Sequence, residues 1–245
     1  MNRGLTIRWR WCGGLGLQLL VGLLVSGCDR LPGKPTAGQV PVEPRQVTNF
    51  ASLYRDNCAG CHGVDGRGSA AMALANPVYL AVVDDATLRR VIAQGLPGSL
   101  MPAFARRSGG FLTETQIDLL VGGIRSRWAR PEILKGVTPP PYADSGTADV
   151  RQGAAVFGTF CARCHGPGGQ GVGAVESIVD ASYLALVSDQ GLRTTVIAGR
   201  PELGHPDWRN CLPGRALTPA QVRDVVAWLV SWRHAAPGPP DLGKP

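Results

Sequence analysis

Two pentapeptides, Cys58-Ala59-Gly60-Cys61-His62 and Cys161-Ala162-Arg163-Cys164-His165, each place two thiols three positions apart with a histidine directly after the second. On a helical turn this spacing lets both thiols add to the vinyl groups of one haem while the adjacent imidazole faces the iron. Two other chemistries use paired cysteines, and neither suits this chain. Zinc needs two more ligands at each site, and the glycine-rich segments that follow, 63–68 and 166–173, do not offer them. A redox dithiol calls for a thioredoxin-like alternation of strands and helices, which the hydrophobic pattern lacks. The reading is therefore two covalent haem c groups, one on Cys58 and Cys61 and one on Cys161 and Cys164, with His62 and His165 as iron ligands. The other cysteines, Cys12, Cys28 and Cys211, do not complete a disulfide scaffold.

The elements that must position these motifs come as a repeat. The second pentapeptide lies 103 residues after the first. At an offset of 104, the run Tyr79 to Asp85 is answered by Tyr183 to Asp189, so one residue was gained in between. Gly95, Pro97, Pro102 and Phe104 then match Gly199, Pro201, Pro206 and Trp208. The chain reads as a duplication. Each unit opens with a short amphipathic segment, Phe50, Leu53 and Tyr54 in the first and Val156, Phe157 and Phe160 in the second. Each closes with a helix announced by a capping box, Thr113 with Gln116 and Thr218 with Gln221. Ile117, Leu120, Val121, Ile124 and Trp128 follow at helical spacing in the first, and Val222, Val225, Val226, Leu229 and Trp232 in the second. The opening segments should pack on the closing helices. The expected fold is all-α, two tandem domains at 48–130 and 148–235, with a proline-rich linker at 131–147 and a tail at 236–245.

On these motifs and this repeat, residues 48–233 resemble class I cytochromes c in tandem, similar to the dihaem cytochrome c4 group. The resemblance implies a small helical fold, proximal histidines at His62 and His165, and a distal methionine delivered by a loop before the last helix. In the first unit Gly98-Ser99-Leu100-Met101-Pro102 fits that loop, and Met1 and Met72 are the only other methionines. The second unit departs from the pattern, because no methionine follows Cys164 and the position aligned with Met101 is His205. Three arrangements stay open for the second iron: His205 as distal ligand, an open or water-filled position, or the Cys211 thiolate. Thioether sulfur favours ferrous iron more than imidazole does, so a Met101 and His205 pair implies a higher potential at the first haem and electron flow from the second domain to the first.

The first residues read as an address. A positive stretch with Arg3, Arg8 and Arg10 precedes a short apolar run ending in Val25-Ser26-Gly27-Cys28, which resembles a lipoprotein signal, with 1–27 removed and Cys28 lipidated. An uncleaved signal anchor is the alternative, and either puts the rest outside the cytoplasm, on the periplasmic or outer face of a membrane. Residues 28–47, rich in proline and glycine, read as a tether. Removing the three arginines lowers the formal charge from +7 to +4, a surplus without a basic run, which points to docking on acidic protein surfaces and not to nucleic acid. No hydrolytic triad or phosphate loop is present. Electron transfer in a respiratory chain is the expected function. The partners expected are a quinol-oxidising complex or periplasmic dehydrogenase and a downstream acceptor. A dihaem peroxidase or sulfur-compound dehydrogenase, with an open or labile second haem, is the alternative, and a gas sensor would need an output domain.

Overall fold

Apart from the two short paired-thiol helices, the α-helices described start where a side chain takes up amides left unpaired by the first turn. Asn49 Oδ1 accepts from Ser52 N at 3.1 Å and opens α1, Phe50–Asn57. The paired-thiol helix α2, Ala59–His62, follows directly. Asn76 and Asp84 cap α3, Pro77–Val82, and α4, Asp85–Gln94. The capping box of Thr113 and Gln116 is complete in both directions and opens α5, Glu114–Trp128. The second unit repeats the series with α6, Val150–Phe160, α7, Ala162–His165, α8, Ala181–Leu186, α9, Asp189–Ala198, and α10, Pro219–Ser231, the last again behind a complete capping box, Thr218 with Gln221. The computed structural model describes Gly33 and residues 42–68, 70–97 and 99–233. The expected signal segment, Cys28, most of the tether, Gly98, His234 and the tail lie outside the described residues. Among those described there are isolated bridges but no strand, so the fold is all-α, and no helix is long and apolar enough to cross a membrane.

In each unit the opening helix crosses the closing one, as the apolar spacing required. The Tyr54 and Trp128 rings meet edge to face at 5.1 Å, and the Phe50 ring lies over Gly123. Phe157 and Trp228 stack at 4.2 Å between α6 and α10, which approach so closely that a Cβ on Gly153 would stand 2.1 Å from Asp224 O. That contact is backbone and cannot yield. Gly153→Val is therefore expected to destabilise the fold by about 2–3 kcal/mol, read as a lower denaturant midpoint.

Residues from Arg45 onward make one compact unit that includes both repeats. Asn76, 3% exposed, uses both ends of its amide: Oδ1 caps α3, while Nδ2 donates across to Ala198 O at 2.9 Å and Gly199 O at 3.3 Å. The aligned cap of α8 is Asp180, which lacks the donors for such a bond. The segment joining the repeats is also held: Arg193, 5% exposed, donates to Pro141 O and Tyr142 O, Gln190 donates to Tyr142 O, and Pro140 is buried.

Candidate functional site

Cys58 stands at the joint of α1 and α2, with its own amide bonded to Tyr54 O and its carbonyl accepting from His62 N at 2.9 Å. Cys161 repeats this, with its amide on Phe157 O and His165 N on its carbonyl at 3.0 Å. Both paired-thiol motifs therefore sit on one helical turn, with the histidine closing it. None of Cys58, Cys61, Cys161, Cys164 and Cys211 is in a disulfide. Burial is the main cause that pushes the Cys58 and Cys161 thiols up, each to about 12. Burial of this kind suits a neutral sulfur such as a thioether.

The two proximal histidines are held differently. The Nδ1 of His62 lies 2.8 Å from Met72 O, an arrangement that fixes the tautomer and turns Nε2 away as the free ligand atom. In the second repeat the corresponding carbonyl, Val175 O, accepts from Val172 N at 3.0 Å instead, and His165 Nδ1 is buried without a hydrogen bond. Burial lowers the proton affinity of both imidazoles, opposed at His62 by the Met72 bond, so each presents a neutral ring with a lone pair for a metal.

The distal loops share three backbone features. Gly95 and Gly199 end α4 and α9 at φ +72° and +68°, and a Cβ on either would stand 2.7 Å from the carbonyl of Met101 or His205 respectively. Leu96 N donates to Met101 O at 3.1 Å, and Arg200 N donates to His205 O at 3.0 Å. Phe104 and Trp208 then each accept from a leucine amide, Leu112 and Leu217. Met101 and His205 thus occupy the same place in the two repeats, which the sequence alignment had suggested from offset alone.

In the second repeat the structure brings His165 and His205 together, with ring centroids 5.9 Å apart and planes at 45°. Two imidazoles on opposite sides of one iron, each about 2.0 Å from it, would have centroids about 6 Å apart. His205 is buried enough to be neutral, a shift increased by facing His165 and partly offset by the Pro206 backbone, and its Nδ1 lacks a well-formed hydrogen bond. Cys211 sits near the same motif, within electrostatic reach of Cys161 and Cys164, but its thiol is pushed up to about 11, mostly by burial, and contacts Asp207 O at 3.4 Å. The donor set and spacing fit a haem in each repeat, held by Cys58, Cys61 and His62 or by Cys161, Cys164 and His165.

Residues 45–121 match the family described as cytochrome C oxidase, cbb3-type, subunit III, and residues 150–233 match the family described as cytochrome c. The Cbb3-type cytochrome c oxidase subunit CcoP of Rubrivivax gelatinosus is 29% identical over 198 residues, covering 77% of this chain and 55% of that protein. The subunit of the same description from Azospirillum sp. (strain B510) is 33% identical over 131 residues, 49% of this chain and 39% of that one. A Cytochrome bc1 complex cytochrome c subunit from Corynebacterium efficiens is 29% identical over 131 residues, 53% of this chain and 40% of its own length. The chain spans between about two fifths and just over half the length of these relatives. With both repeats matched, and each carrying its own thiol pair and histidine, the chain carries two cytochrome c domains in tandem.

Proposed function

We propose that this chain is a dihaem electron carrier, tethered through Cys28 to the outer face of a bacterial membrane, that takes electrons from a quinol-oxidising complex or periplasmic dehydrogenase and passes them to a downstream acceptor. Haem c, when bound, supplies reversible one-electron chemistry. Cys58 and Cys61 attach it in the first domain and Cys161 and Cys164 in the second. His62 and Met101 would hold the iron of the first site, and His165 and His205 that of the second. Met72 O holds the His62 ring in register, and the Leu96 and Arg200 amides hold the distal loops. The relatives point the same way, being described as subunits of a cbb3-type oxidase and of a bc1 complex.

The observation that supports this reading is the facing pair His165 and His205, ring centroids 5.9 Å apart, a spacing at which both imidazoles could hold one iron. Closed sites move electrons with little rearrangement, whereas a peroxidase or a sulfur-compound dehydrogenase needs an exchangeable position. Carbon monoxide added to the reduced protein is the test. An unchanged Soret band is the expected result. A carbonmonoxy spectrum in half of the haem would contradict closed coordination and favour catalysis at the second site.

A further inference from the structure

Arg200 occupies the position that Leu96 holds in the first repeat, and it does more than its counterpart. Its backbone pairs with His205 in both directions, Arg200 N to His205 O and His205 N to Arg200 O, each at 3.0 Å. Its side chain also reaches the first domain, where Nη2 donates to Ala71 O at 3.3 Å. Ala71 directly precedes Met72, whose carbonyl receives the His62 ring nitrogen. Nε pairs with Glu202, whose Oε1 comes within 3.1 Å of the point where a Cβ on Gly68 would stand. The side chain is only 19% exposed, so its charge is poorly screened. Just before it, Ala198 and Gly199 are held by Asn76 of the first domain, so the guanidinium starts from a fixed point.

We propose that Arg200 is a positioning residue that couples the two haem sites, its backbone holding the His205 loop of one while its guanidinium holds the Ala71 carbonyl, next to Met72, of the other. The inference rests on the reading above that His62 and His205 are axial ligands. A positive charge shared by both sites favours the electron-richer state of each, and Glu202 tempers that effect. A shift of the His205 loop would therefore pull on the Ala71 carbonyl, next to the Met72 carbonyl that meets the His62 ring.

The test is a spectroelectrochemical titration of the full-length, haem-loaded protein and two variants. Arg200→Gln is expected to lower both midpoints, by about tenfold in the reduced-to-oxidised ratio at fixed potential, or about 59 mV for a one-electron couple. Glu202→Gln leaves the guanidinium in place and is expected to move both midpoints in the opposite direction, which provides an answer even if Arg200→Gln folds poorly. Both waves moving together with these signs supports the coupling. A shift confined to the second wave, or no shift, overturns it. Near-infrared magnetic circular dichroism of the wild-type protein separates the two levels of failure: absence of a bis-imidazole signal contradicts the ligand assignment, and its presence with only one wave moving contradicts the coupling alone.

Discussion

Replacing His205 with methionine is expected to raise the lower of two midpoint potentials by on the order of 0.1 V and to leave the higher one nearly unchanged. Imidazole donates more strongly to ferric iron than a thioether does, so exchanging one for the other favours the reduced state at that site alone. The loop should tolerate the change, because its shape is set by backbone: the two-way pairing of Arg200 with His205, and Gly199 at φ +68° against the His205 carbonyl. The first domain already holds a methionine in the same frame, between Gly95 and Pro102. A spectroelectrochemical titration of the variant beside the parent reads the shift. Two unmoved waves would mean that His205 is a loop residue and would turn attention to Cys211 or an open iron.

The second large effect is expected from Cys161→Ala combined with Cys164→Ala, which should halve the covalently bound haem per chain. Thioether bonds survive denaturation while axial bonds do not, so a haem-stained denaturing gel with a pyridine haemochrome assay normalised to protein counts the attached groups. The first site should keep its haem, since Cys58, Cys61, His62 and the Met72 carbonyl all lie within the first domain. Packing of α6 on α10 through Phe157 and Trp228 does not involve the thiols. Retention of the full haem content would contradict attachment at Cys161 and Cys164. Loss of all haem would contradict independent loading of the two sites.

Much of this fold was legible from side-chain types at fixed spacing. The two capping boxes, the crossing of opening and closing helices, and the equivalence of Met101 and His205 all follow from periodicity and from the repeat. What the sequence hid is carried by backbone atoms or by unaligned residues. Met72 orients His62 through its carbonyl, which any residue would carry, so no side-chain signal marks it. The crossing bonds of Asn76 join residues more than a hundred positions apart and use an amide end that the capping role leaves over. Arg125 and Arg233 make the same anchor, each donating to two carbonyls at the end of the preceding short helix, Leu80 and Val83 or Leu184 and Val187, and each pairing with an aspartate, Asp85 or Asp189, at 2.5 Å. They went unmatched because the second arginine comes about one helical turn later relative to its capping threonine, outside the offset that aligns the rest. The added residue between repeats is local: Ala75 and Ile178 make the same bond, to Gly66 O and Gly169 O, at the old offset, and the caps Asn76 and Asp180 stand at the new one.

Two haems of unlike axial ligation in one chain are the central claim, and near-infrared magnetic circular dichroism of the oxidised protein at low temperature tests it most directly, because the ligand-to-iron charge-transfer band differs between histidine–methionine and bis-histidine pairs. The expected spectrum contains both low-spin bands in equal haem amounts, one for His62 with Met101 and one for His165 with His205. A single band, or a high-spin signal from half of the haem, would contradict it.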